Sequence, residues 1–448
     1  MSLRSLLSSA LSAALAGLLV ACGAPSASQP TTVPTAAPTA APTEAPTTAP
    51  TEATTAAPTE APTTAPTEPP TTAPTEAPTT EPAGALPKPL YLLQNGQIFR
   101  IEADGATRTQ ITYEVPFNPD ALAVIDFAIS SADNTLAYIV QRDGPSALLR
   151  SGPDGEDPTP LFESETVNVG DPVFSPDGRQ IAVRLQGPFD QPDSFQSGLY
   201  LIPTEGGEPQ LLVADDPIED PATVSEAAGV APQAFSPDGS RLLVFRYGLQ
   251  VDVCDLAVVS LADGAVTKLA LPAPPPMERQ TSCSNSVSWA PDGSAAYFTI
   301  ERIGASGGEP AIWRLDPATG ATEPVTPEQQ AAPFTLYTNP FAAADGGILA
   351  LSAEAEALPE PFSDNQPTLS YSVVRVDPAT GEAAELRPAE PLEPILVAWD
   401  EGGAGAAVLS FDVATGGSSL FWLTAGEGPA LELAAGMGDI SLFAWSSR

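Results

Sequence analysis

The sequence predicts an all-β chain: a closed ring of four-stranded antiparallel blades behind an N-terminal stretch that cannot fold. Three observations carry this. First, a turn motif repeats. Phe174-Ser175-Pro176-Asp177-Gly178, followed by the apolar run Ile181-Ala182-Val183, is echoed by Phe235-Ser236-Pro237-Asp238-Gly239 and Leu242-Leu243-Val244. Trp289-Ala290-Pro291-Asp292-Gly293 opens a third copy. Second, each unit continues into a third and a fourth apolar strand parted by another glycine turn. The units recur at intervals of about 45–60 residues, the pattern of a β-propeller. Third, the last apolar strand, Ile440–Ser446, has no partner strand after it, while three unmatched strands open the repeat region.

Taken in order, residues 1–21 read as a leader. Arg4 gives it a positive charge, and Leu11–Val20 form an apolar stretch too short to span a bilayer. It ends at Leu19-Val20-Ala21-Cys22, which resembles the lipobox of bacterial lipoprotein signal peptides. The resemblance implies loss of residues 1–21, a diacylglyceryl group on the Cys22 sulfur and an acyl chain such as palmitate on the new amino end. Two or more chains suffice for stable membrane anchoring. Residues 22–29 are then the lipidated terminus, and the protein is expected to be extracytoplasmic, anchored to a membrane of a bacterial envelope or surface.

Residues 30–87 are almost wholly Pro, Thr, Ala and Glu, with Ala41-Pro42-Thr43-Glu44 recurring from Ala57 and from Ala73. No large apolar residue lies between Val33 and Leu86, so this segment is expected to be a disordered stalk. Such composition favours polyproline II, and at about 3.1 Å per residue it reaches on the order of 100–180 Å. Its threonines resemble those of O-glycosylated stalks, though spacing alone accounts for the composition.

Residues 88–448 are the propeller. In each repeat, proline presets one turn corner and glycine accepts positive φ at the next, so the chain reverses after a bulky anchor residue. The anchors are Ile129, Phe174, Phe235, Trp289, Phe341, Trp399 and Trp445. Seven anchors predict seven blades, with six or eight as the alternatives, and place Trp289, Trp399 and Trp445 in inter-blade core. The third and fourth strands flank a second turn, as at Asp316-Pro317-Ala318-Thr319-Gly320 and again at Asp377–Gly381. The latter does not follow calcium-loop spacing and is expected to be a plain turn. The Phe-Ser-Pro-Asp-Gly motif with its following strand resembles the WD40-like PD40 repeat of TolB-type propellers. It is sharp in three repeats; elsewhere Ser131–Asn134 and Asp400–Gly403 stand in for the turn. Leu90–Leu93, Ile98–Ile101 and Thr109–Thr112 supply the strands that Ile440–Ser446 lacks. The two ends therefore make one composite blade, which removes an open sheet edge.

Composition narrows function. The propeller region carries 16 Lys and Arg against 50 Asp and Glu, a net charge of −34 that repels nucleic acid. It also offers anionic lipid no basic patch, which leaves the acyl anchor to hold the membrane. There is no histidine, which excludes Ser-His-Asp and Cys-His sites and His-liganded metals. No phosphate-binding glycine loop occurs. Besides Cys22, only Cys254 and Cys283 are present, and in an oxidising location they are expected to form a disulfide.

The tight turns fall on one face of the ring; second-to-third connections and links between blades fall on the other. That second face carries the long segments 186–197, 213–232, 271–284, 302–309 and 352–369. Long loops on a rigid ring are where recognition usually sits. Phe189, Asp190, Phe195, Phe362 and Asp364 are its candidate binding residues. Rings beside carboxylates suit a protein or a glycan; no cofactor is expected, with a calcium ion as the one alternative. The expected function is a monomeric, non-catalytic protein- or glycan-binding or scaffolding module. The second reading is a carboxylate-dependent hydrolase or lyase on an extracytoplasmic glycan or peptide, which needs two acids about 5–10 Å apart.

Overall fold

A computed structural model describes residues 86–188, 191, 194–216, 229–247, 254–270, 279–281, 287–299, 301–303, 311–327, 333–356, 369–412, 417–426, 428–434 and 440–446. They form seven four-stranded antiparallel sheets and one two-stranded ribbon. Among the described residues no helix is long and apolar enough to cross a membrane.

Blade 1 contains Val124–Ile129, Leu136–Val140, Ala147–Ser151 and Thr159–Phe162. Blade 2 contains Asn168–Phe174, Gln180–Gln186, Gly198–Pro203 and Gln210–Ala214. Blade 3 contains Gly229–Phe235, Arg241–Tyr247, Cys254–Ser260 and Val266–Lys268. Blade 4 contains Val287–Trp289, Ala296–Thr299, Ile312–Leu315 and Thr322–Pro324. Blade 5 contains Phe334–Ala342, Ile348–Ala355, Ser370–Val376 and Ala383–Pro391. Blade 6 contains Pro394–Trp399, Gly405–Asp412, Gly417–Thr424 and Leu431–Ala434. Blade 7 takes its first strand, Ile440–Trp445, from one end of the propeller sequence. Leu90–Gln94, Gln97–Ile101 and Arg108–Gln110 come from the other. The composite pairing runs from Leu90 opposite Trp445 to Gln94 opposite Ile440.

Why the strands read as continuous apolar runs follows from the packing. Successive side chains of a strand point to opposite sides, and both sides of a blade are covered by neighbours. Leu90 and Leu92 enter the core against blade 6, while Tyr91 and Leu93 enter the core against blade 1. The same holds around the ring: seven buried apolar clusters lie one in each seam between adjacent blades.

The anchors end, or nearly end, the seven first strands. Three of them fasten seams. The indole Nε1 of Trp289 donates to the Ala234 carbonyl of blade 3 at 3.1 Å. Trp399 donates to the Asn339 carbonyl of blade 5 at 2.7 Å. Trp445 donates to the Ala398 carbonyl of blade 6 at 2.9 Å and meets Trp422 edge-on at 5.2 Å. A second device closes the outer rim. The glycines of the two Asp-Pro-Ala-Thr-Gly turns, Gly320 and Gly381, have φ of 75° and 71°. A Cβ at either would lie 2.2 Å from a carbonyl oxygen of the preceding blade, Lys268 or Val325, so only glycine fits.

One expectation needs correction. Segments 271–284 and 302–309 read as loops, yet Arg279–Thr281 pairs antiparallel with Glu301–Ile303 in a short ribbon. Each strand is three residues long, too short to register as a period in sequence.

Candidate functional site on the loop-rich face

The tight-turn face is occupied with its own support. In blade 2 the Ser175 hydroxyl donates to Asp177 Oδ1 at 2.7 Å and accepts from the Gln180 amide at 3.0 Å. Blade 3 repeats this with Ser236, Asp238 and Arg241 at 2.6 and 2.9 Å. The Ser236 hydroxyl, with the amide and hydroxyl of Ser240, holds the Asp238 carboxyl down at about 2. Ser175 lowers Asp177 in the same way. The Ser294 side chain lowers Asp292, and the Ala318 amide lowers Asp316. In blade 1, Asn134 takes the glycine's place with φ of 65°. The Asp377 turn is plain: Asp377 Oδ1 accepts the Ala379 amide at 2.8 Å and its carbonyl accepts the Gly381 amide.

The opposite face carries the other connections, and one cluster of its described charged residues serves the blade 2–blade 3 seam. Arg184 lies inside the apolar strand Gln180–Gln186 with its side chain buried. It makes a two-pronged contact with Asp215, Nη1 to Oδ1 at 2.9 Å and Nη2 to Oδ2 at 2.7 Å. Its Nη1 also reaches the Val230 carbonyl of blade 3 at 3.3 Å, and Asp215 Oδ1 accepts the Val230 amide at 3.2 Å. The guanidinium lies 5.0 Å from the centre of the Tyr247 ring. Burial works against the Arg184 charge, but Tyr247 and Asp215 outweigh it, so the group stays fully charged. Burial pushes the Tyr247 phenol up, and Arg184 opposes that shift. Asp171 stands near both, at a bulge of the first strand of blade 2 where its φ is 52°. Beside this group Arg246 pairs with Asp216 at 2.9 Å. In sequence, Asp216 precedes segment 217–228 and Tyr247 precedes segment 248–253.

Of the candidate binding residues, Phe195 is described: its ring stacks on Tyr200 at 5.7 Å and packs against the blade 1–blade 2 core. Phe189, Asp190, Phe362, Asp364, Cys22 and Cys283 lie outside the described residues. Cys254 begins the third strand of blade 3, opposite Tyr247. Arg184, Asp215 and Tyr247 were not candidates in the sequence; the available signal was an arginine inside an apolar strand, which burial obliges to find a partner. Among the described residues no three acidic or cysteine side chains converge as a metal site requires.

The architecture defines a seven-bladed β-propeller. No protein-family model and no curated protein matches the sequence. Solved structures do match. A puromycin-hydrolyzing peptidase of Mycobacterium tuberculosis aligns at TM-score 0.53 and 14% identity, over 78% of this chain and 51% of that one. A puromycin hydrolase aligns at 0.52 and 15%, over 80% of this chain and 53% of that one. TolB from Acinetobacter baumannii aligns at 0.40 and 18%, over 70% of this chain and 66% of that one. The chain spans about half the length of the two hydrolases. At these identities the likeness to the two hydrolases is one of fold.

Proposed function

We propose that the chain is a lipid-anchored, extracytoplasmic propeller that recognises another envelope protein or a cell-surface glycan through its loop-rich face, without covalent chemistry. Cys22 carries the anchor, residues 30–87 space the ring from it, and a Cys254–Cys283 disulfide pins the loops of blades 3 and 4. The observation that carries this reading is the inequality of the two faces. One spends its serines, aspartates and glycines on holding tight turns. The other carries the extended connections on a rigid base, and its roots are set by the Arg184–Asp215 pair. Recognition loops on a rigid scaffold have this form. The resolved carboxyl shifts among the described residues are all downward and belong to turn aspartates, whose hydrogen bonds favour the ionised form.

Two measurements test it. Cys22→Ser is expected to move the protein out of the membrane fraction or block its processing; a processed, membrane-bound variant overturns the anchor. Replacing residues 217–228 with a Gly-Ser linker is expected to lower retention on immobilised cell-wall glycan or on purified envelope proteins at least ~10-fold. Asp177→Asn, on the tight-turn face, should leave retention unchanged. Equal retention by both variants would reject the face assignment.

A further inference from the structure

The link from blade 7 to blade 1 holds apolar side chains out in solvent. Tyr113 is 76% exposed, Val115 80%, Phe117 42%, and Ile125, which follows in the first strand of blade 1, 37%. This is not a loose segment. The Gln97 side chain grips its backbone from both sides, donating from Nε2 to the Glu114 carbonyl at 2.7 Å and accepting the Glu114 amide at 3.1 Å. Gln97 Oε1 also accepts the Thr112 hydroxyl at 3.0 Å, and that hydroxyl accepts the Ile98 amide at 2.8 Å. The Tyr138 hydroxyl of blade 1 donates to Glu114 Oε1 at 3.3 Å. With Glu114 tied inward, its neighbours Tyr113 and Val115 are turned outward. Further along, Leu122 and Ala123 press on Gly96 so closely that a Cβ there would lie 2.7 Å from the Ala123 nitrogen. The Asn95-Gly96 turn, both residues at positive φ, keeps the blade low and lets the link cross it.

An apolar strip fixed in the exposed state has already met the ordering cost of a binding site. Charge selects its occupant. The strip runs into Asp120, and a depression of about 530 Å³ in blade 1, the blade that holds Ile125, is lined by Asp143, Glu163 and Glu165 against one guanidinium, Arg142. With a net charge of −34 on the propeller region, a second copy and an anionic bilayer are both repelled. The stalk has no large apolar residue after Val33 to cover the strip.

We propose that Tyr113, Val115, Phe117 and Ile125 dock a cationic polypeptide segment bearing apolar side chains, its lysines or arginines meeting Asp120, Asp143 and Glu165. This rests on the reading of the loop-rich face as the recognition surface and names the partner's chemistry. The test uses the full chain and three synthetic twelve-residue probes: alternating lysine and leucine, alternating glutamate and leucine, and lysine alone. Binding is followed by fluorescence anisotropy. The lysine–leucine peptide should bind best, more weakly at higher salt. Tyr113→Ser, Val115→Ser and Phe117→Ser together should weaken it at least ~10-fold with the melting temperature unchanged. Equal binding by the triple variant, or equal binding of the glutamate–leucine peptide, overturns the proposal. So does a dimer or vesicle binding that the triple variant abolishes, since a second copy or lipid is then the occupant. So does a lowered melting temperature, since the strip is then covered from within the chain. If replacing residues 217–228 abolishes glycan or protein retention while the triple variant binds the peptide as before, the recognition face stands and this docking strip falls.

Discussion

Two seams of the same ring are fastened by opposite chemistry. Between blades 6 and 7 the fastening is Trp445, a large ring packed on Trp422 with one N–H spent on the Ala398 carbonyl. Between blades 2 and 3, at the loop-bearing end, it is an ion pair: Arg184 on Asp215, with the backbone of Val230 held by both. The first is apolar area with a single polar contact, which gains on burial. The second takes charges out of water and depends on keeping every partner. Ring closure is thus entrusted to dispersion and area. The seam beside the loops is entrusted to a geometry that positions loop roots but tolerates no loss.

The largest break is expected at the first seam. Trp445→Ala removes a large packed ring at a cost of about 3–5 kcal/mol. Deleting the last nine residues also unpairs Leu90–Gln94, so aggregation or a broad, non-cooperative melt should be seen by calorimetry, while deleting residues 30–80 leaves the melt as it was. A C-terminal deletion that melts like the parent would dismiss the composite blade as the closure.

A smaller loss is expected at the second seam. Arg184→Met strands Asp215 beside the Val230 amide, at a cost of about 3 kcal/mol by urea unfolding. Arg246→Met breaks a pair whose partner Asp216 is mostly exposed, and should cost less than about 1 kcal/mol. Equal losses would mean that burial does not distinguish the two pairs. The smallest effect belongs to the turn face. Asp238 has a folded-state pKa of about 2, below its ordinary value near 3.9. Its contribution is therefore complete above about pH 4 and disappears as pH falls from about 4 to about 2. Asp238→Asn should flatten that part of the stability–pH curve slightly and leave neutral pH almost untouched.

The two seams also differ in how far the sequence discloses them. Trp289, Trp399 and Trp445 stand at the same place in a repeat, just before a turn, and repetition exposes their role. The composite blade was legible for the same reason, since a strand without partners and partners without a strand call for each other. Arg184 has no such sign. Its partner Asp215 lies 31 residues on, just past the strand Gln210–Ala214, and no local period joins them. The Arg279–Thr281 ribbon hides because its partner strand is drawn from a different connection. Of the proposed site, the face is argued from loop length, which the sequence displays; the exposure of the strip from Tyr113 to Phe117 is not displayed there, because it depends on the grip of Gln97.

Blade 7 also sets a clock. Its second strand, Leu90–Gln94, is made early, and the strand that completes its sheet is Ile440–Trp445. At ribosomal rates of about 5–20 residues per second, roughly 20–70 seconds separate the two. Throughout that time five residues destined for full burial present an unpaired edge, and no local contact can substitute for the absent strand. The same pairing that completes blade 7 makes the nascent chain wait, with that blade open, until the other six have been synthesised.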